Sequence, residues 1–147
     1  MSFGNCWLPL LLALTLAVQA CGQVSSAPAN FDPAAYTPIA ATWLTAPEAH
    51  QLRPGQWVRC RGYFWEFLSY DPGIRYYYFN QIRYPRRWGA LEWFAIYASS
   101  SLSGYFDRLA MSYAQRLEYQ PKRLDPITIY GELLPFGGRH LYLLVHH

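Results

Sequence analysis

The alternation between Trp57 and Phe67, in the stretch WVRCRGYFWEF, constrains this chain more than any other feature. On an extended backbone Val58, Cys60, Gly62 and Phe64 fall on one face, and Trp57, Arg59, Arg61, Tyr63 and Trp65 on the other. The first set suits a core. The second mixes guanidinium groups with aromatic rings, which a buried face does not hold without ion partners, so it is expected to be at least partly wet. Gly62 in mid-strand signals a bulge or a sharp bend, as a small barrel needs where a strand curls from one side to the other. Such a strand needs partners, and the residues that follow it supply several candidates.

Asp71-Pro72-Gly73 is a turn signal, Pro setting one φ and Gly accepting a positive one. A second strand is expected over Ile74 to Arg83, so uniformly aromatic through Tyr76-Tyr77-Tyr78-Phe79 that neither face can be assigned to the core. Tyr84-Pro85-Arg86-Arg87-Trp88-Gly89 reads as a loop. With Arg83 it forms a cationic cluster suited to an acidic protein patch or a phosphate head group, and it reads equally well as a solvated hairpin tip. The third strand is expected from Ala90 to about Ser99, with Leu91, Trp93, Ala95 and Tyr97 opposite Glu92, Phe94, Ile96 and Ala98.

Ser99 to Gly104 (SSSLSG) breaks the pattern, and Ser103 is a candidate N-cap for a helix through Tyr119. Phe106, Leu109, Ala110, Tyr113 and Leu117 have the spacing of one helical face, which predicts an amphipathic helix packed on a sheet. Pro121 and Pro126 close that region around Lys122-Arg123. Ile127 to Leu134 and Arg139 to Val145, joined by Pro135-Phe136-Gly137-Gly138, then read as a hairpin whose core positions are Ile127, Ile129, Gly131, Leu133, Leu141, Leu143 and Val145. Upstream of all this, Thr45-Ala46-Pro47-Glu48 has capping-box spacing and predicts a short helix from about Ala46 to Leu52, with Trp43 and Leu44 packing ahead of it.

Three strands, one helix and two strands, with a glycine in the first and fourth strands, resemble the OB-fold, a five-stranded Greek-key barrel. The approach PGQWVRCRG is similar to the opening of bacterial members of that class, and the resemblance spans roughly residues 54 to 145. The expected fold is therefore mainly β: a small five-stranded OB-like barrel, one helix between strands three and four, and a short N-terminal helix. By that resemblance, ligands would meet strands two and three and the flanking loops, here Tyr76, Tyr78, Arg83, Arg86, Arg87 and Trp88. The fold alone does not name a ligand, because many functions share it.

The first twenty residues argue for export. Trp7 to Val18 (WLPLLLALTLAV) has the length of a signal-peptide core and is short for a membrane span, although no Lys or Arg precedes it. Val18-Gln19-Ala20-Cys21-Gly22 resembles a bacterial lipobox, with Gln19 departing from the usual small residue. That resemblance implies lipid attachment at Cys21 and anchoring on the periplasmic or another extracytoplasmic side. The alternative is ordinary cleavage after Ala20, which would free the protein and permit a Cys21–Cys60 disulfide. Residues 1–20 are thus expected to be a signal peptide, 21–43 a lipidated cysteine and flexible tether, and 44–147 the barrel domain; the proline-punctuated run from Gly22 to Ala35 suits such a tether.

Charge and composition narrow the partners. The formal charge is +3, from 12 basic and 9 acidic residues, too weak and mixed for a dedicated nucleic-acid binder, and export disfavours nucleic acid further. Lys122 is the only lysine among those 12 cations, and 18 % of residues are aromatic. Arginine, tyrosine and tryptophan are the residues that dominate protein interfaces. His50, His140, His146 and His147 have no ligand spacing, and no nucleophile elbow or phosphate-cradling loop occurs, so neither metal, cofactor nor catalysis is expected. The reading is an anchored docking or assembly subunit that uses Arg59, Arg61, Tyr63, Trp65, Tyr76, Tyr78, Arg83, Arg86, Arg87 and Trp88 against a protein partner. The alternative is an OB-like module that stacks oligosaccharide or single-stranded nucleic acid on its rings.

Overall fold

The computed structural model describes residues 29–70, 72, 91–137 and 139–147. Its strands are β1 (Thr37–Pro38), β2 (Trp57–Phe67), β3 (Leu91–Tyr97), β4 (Tyr105–Ser112), β5 (Pro126–Gly137) and β6 (His140–Val145), with helix α1 (Tyr113–Glu118) after β4. β2 carries the alternation read from the sequence: Val58, Cys60, Gly62 and Phe64 are buried, whereas Arg59 and Arg61 are exposed. Antiparallel pairs join β2 to β3, β3 to β4 and β5 to β6, a parallel pair joins β4 to β6, and β2 pairs β5 to close the ring. The result is a closed five-stranded barrel in the OB order, with one helix between its third and fourth strands.

Closure depends on how β2 is shared. Its first part, Trp57 to Tyr63, pairs with β5, and its last part, Tyr63 to Phe67, pairs with β3. The exchange occurs beside Gly62, where a Cβ would lie 2.9 Å from Ile96 Cδ1 and 3.1 Å from the Tyr97 carbonyl oxygen. Gly131 has the same role on β5, opposite both Val58 and Val145, and a Cβ there would overlap the Leu144 carbonyl oxygen. The interior is filled by Val58, Cys60, Phe64, Phe94, Ile96, Leu109, Leu133 and Leu143, among others. Cys60 is free, and burial pushes its thiol up to about 12, which makes it an inert core residue. A second cluster, Trp93, Ala110, Phe136, Tyr142 and Leu144, packs on the outer side of the sheet.

The arrangement is as expected, but two of its strands come from other segments. Ile74 to Arg83 lies outside the described residues. The expected third strand is the barrel's second, and the expected helix from Ser103 to Tyr119 is largely strand β4. Only Tyr113–Glu118 is helical, capped by Ser112, whose hydroxyl accepts from Gln115 N while the Gln115 side chain accepts from Ser112 N. The cause is a β-bulge. Phe94 pairs with Leu109 and Ile96 with Phe106, so β4 spends three residues where β3 spends two. The extra residue converts a period of two into a spacing of three, which imitates a helical stripe. Tyr113 and Leu117, the rest of that stripe, are exposed.

The N-terminal helix is also different. Two 3-10 turns, Ala41–Thr45 and Pro47–His50, stand in its place, and the Thr45 hydroxyl donates to the Thr42 carbonyl instead of capping. Leu44 enters the core, and Trp43 stacks on His50 at 4.6 Å. The packed region begins inside the expected tether: Tyr36 and Ala41 are buried, and β1 pairs in parallel with Val58 and Arg59. Replacing Gly131 with Ala should destabilise the barrel by about 1–3 kcal/mol through overpacking against backbone that cannot give. Thermal unfolding should record a Tm lower by roughly 4–8 °C per kcal/mol for a domain near this size.

Candidate functional site on the outer barrel face

Arg59, Arg61, Tyr63 and Trp65 project from β2 at every second position, so one strand brings four of the sequence-derived candidates to one face. Tyr76, Tyr78, Arg83, Arg86, Arg87, Trp88 and Cys21 lie outside the described residues. Trp57, the first member of the wet face, is diverted elsewhere: its ring stacks on Tyr36 at 5.3 Å. Two residues on other elements extend the face. Trp65 meets Tyr97 edge to face with centroids 5.3 Å apart, and Tyr97 lies 5.3 Å from Tyr105, its register partner across β3 and β4. A row of rings therefore crosses three adjacent strands. Tyr97 and Tyr105 escaped the sequence reading because one sat on a strand assigned to a different place in the barrel and the other inside an expected helix.

The charges on this face are of two kinds. Arg123 is committed: its guanidinium lies 4.4 Å from the Trp65 ring centroid, and Nη2 donates to Glu66 Oε2 at 2.8 Å. Arg59 and Arg61 are exposed and have no carboxylate partner among the described residues. Two shallow depressions flank Arg61. One, of about 450 Å³, runs from Pro38 to Thr42 past Arg59; the other, of about 470 Å³, is bordered by Tyr63, Pro126 and Thr128. Two adjacent cations without internal anions, set beside a rigid aromatic row, form a surface suited to an acidic, aromatic-tolerant counterpart.

A different cluster closes the neighbouring part of the outer surface. His146 has a side chain only 2 % exposed; its Nδ1 shares a 3.0 Å hydrogen bond with the Tyr36 hydroxyl, and its Nε2 stands 3.9 Å from Glu132 Oε2. Trp57 packs edge-on against the same imidazole at 5.1 Å, and Phe31 stacks on His147 at 4.2 Å. In the sequence His146 and His147 have no ligand spacing, and nothing local links His146 to Glu132 on β5. The alternation of β6 carried the missing signal: Leu141, Leu143 and Val145 point inwards, so His146 belongs to the outer side that Phe31 to Tyr36 covers. Only the tyrosine and imidazole are hydrogen-bonded, the carboxylate standing beyond that reach, and their burial makes the group a clasp between the N-terminal segment and the barrel.

Burial holds the His146 imidazole below its ordinary range, with Glu132 opposing that shift. Among the described residues no group of three or more His, Cys, Asp or Glu side chains could hold a metal ion. No helix of the described residues is long and apolar enough to cross a membrane. Comparisons with protein-family models, with curated proteins and with solved structures find no match.

A histidine in the unfolded chain titrates near pH 6.5. Because His146 resists protonation when folded, the stability linked to it is complete above about pH 6.5 and is lost as the pH falls towards the folded value. His140, lowered by burial and by Arg108, adds a slope of the same sign. Urea unfolding from pH 8 to pH 5 should therefore show a falling midpoint, and His146→Gln should remove part of that fall while leaving the His140 share.

Proposed function

We propose that this chain is an exported, membrane-anchored and non-enzymatic docking or assembly subunit that meets a protein partner through the Arg59–Trp65 face. The observation that carries the reading is the pair Arg59 and Arg61, exposed on one strand face without a carboxylate partner among the described residues and beside the row of Trp65, Tyr97 and Tyr105 rings. Arg123 and Arg116, by contrast, are paired with Glu66 and Glu92. Arginine beside rigid aromatics is also the composition of interface hot spots. Cys21, in its lipobox-like setting, supplies the anchor on this reading.

Stacking of oligosaccharide or single-stranded nucleic acid is the weaker reading. It needs open ring faces in sequence along a groove. Here Arg123 covers one face of Trp65, and the Trp65–Tyr97 contact is edge to face, at 86°.

The test is co-purification from membranes after mild solubilisation. Wild-type chain should retain an acidic membrane-associated partner in a salt-sensitive manner. The Arg59→Ala/Arg61→Ala chain should bind it at least ten-fold more weakly, a loss of about 1.4 kcal/mol or more. Equal recovery by both chains would overturn docking through this face, as would retention of a glycan or oligonucleotide with no protein. Mass spectrometry of the mature N-terminus checks the anchor separately, by the presence or absence of acyl mass on Cys21.

A further inference from the structure

α1 does not cover the barrel end beside it. None of its side chains is buried, and Tyr113 and Leu117, the residues expected to pack on the sheet, are 60 % and 58 % exposed. Next to it opens a cleft of about 480 Å³, whose walls include Phe64, Phe94, Met111, Ile127, Ile129 and Val145. Those six side chains come from all five barrel strands, so the cleft is the mouth of the barrel interior and not a surface dent. Its size falls within the roughly 300–1,000 Å³ of small-molecule sites, which share its apolar walls and sparse polar groups.

The cleft is held open by specific bonds. Gln115 Nε2 donates to the Val145 and His146 carbonyl oxygens at 3.2 and 3.1 Å, while Arg116 pairs with Glu92, so α1 is fixed at the rim and cannot swing inwards without breaking both ties. Polar groups gather at the opening, where Glu118, Tyr119, Tyr130 and His147 line it. The N-terminal segment arrives at the same rim: the Phe31 ring stacks on His147 and meets Tyr130 edge-on at 4.9 Å. Cys21 lies ten residues before Phe31. An extended link of that length reaches on the order of 30 Å, more than enough to return to the rim.

We infer that this cleft is a binding site for a single acyl chain, held with its apolar body in the barrel mouth and its polar head at the Glu118–His147 rim. A slender unbranched chain fits because the interior of so small a barrel is otherwise filled by side chains and leaves no width for a bulky ring system. The chain has two sources, a lipid carried on Cys21 or the tail of a free amphiphile. Only the first source rests on the proposed anchor; the site itself does not.

Dodecanoic acid titrated into the full chain carrying Cys21→Ser tests the site by calorimetry. One-to-one saturation is expected, with affinity reduced at least ten-fold in Val145→Trp, which fills the mouth from a half-buried position. A similar reduction is expected in Tyr119→Asp, whose exposed site keeps folding unaffected. Absence of saturable binding, or binding unchanged in both variants, overturns the inference. Photoreactive palmitate fed to expressing cells then separates the sources. A crosslink between the Cys21 peptide and the Met111 or Ile129 peptide identifies the protein's own chain, and a crosslink from unattached lipid to those peptides identifies a free amphiphile. Unacylated Cys21 together with dodecanoate binding would remove the anchor and leave the site standing; a crosslink confined to other regions would overturn the site.

Discussion

The shared strand β2 is the constraint on which the barrel depends. One strand of 11 residues must satisfy β5 along its first half and β3 along its second, and the two partners come from opposite ends of the fold. At the crossover a Cβ on Gly62 would crowd the Ile96 side chain and the Tyr97 carbonyl oxygen, and further along β5 one on Gly131 would overlap the Leu144 carbonyl oxygen, so glycine suits both positions. Everything attached to β2 inherits its orientation: the apolar members line the interior, Arg59 and Arg61 stand outside, and β1 aligns along Val58 and Arg59 on the edge that β3 leaves open. The proposed docking face is thus the outer side of the strand whose inner side is the core.

How far the sequence revealed this depends on whether a strand keeps its period. β2 has its bulge late, between Phe64 and Glu66, so the clean alternation from Trp57 to Phe64 precedes it and both faces were readable. In β4 the bulge falls between Phe106 and Leu109, in the middle of a strand of 8 residues, and the local pattern becomes that of a helix. The architecture was still recognised, because the five strands and the helix between the third and fourth keep their order although β4 lies where a helix was expected. Single positions such as Gly62, Gly131 and Cys60 were legible for the same reason as β2: each sits inside a regular run whose neighbours define its side.

The sites were less legible than the fold. Arg59, Arg61, Tyr63 and Trp65 belong to one strand, so their common face follows from parity alone. Tyr97 and Tyr105 join them only through the pairing of β3 with β4, and Tyr36 meets His146 across 110 positions of sequence. The cleft has no signal in any one segment, since its walls are core residues whose exposure at the barrel mouth depends on where α1 stops. Long-range pairing creates these features, and a local reading has no access to it. The two surfaces also differ in kind: the outer face presents charge and rigid rings, whereas the barrel mouth presents an apolar volume.

The pairing of Val58 with Gly131 has a kinetic consequence. A chain emerging N-terminus first presents β2 long before β5 exists, so the most structured part of the final barrel begins as an unpaired strand with an apolar face. Closing loops of that span is costly in entropy, and topologies rich in such contacts fold in milliseconds to seconds instead of microseconds. During that interval the edge of β2 is open to other chains. Arg59 and Arg61, on its wet face, would set like charges against a second copy pairing in parallel register, which disfavours such pairing.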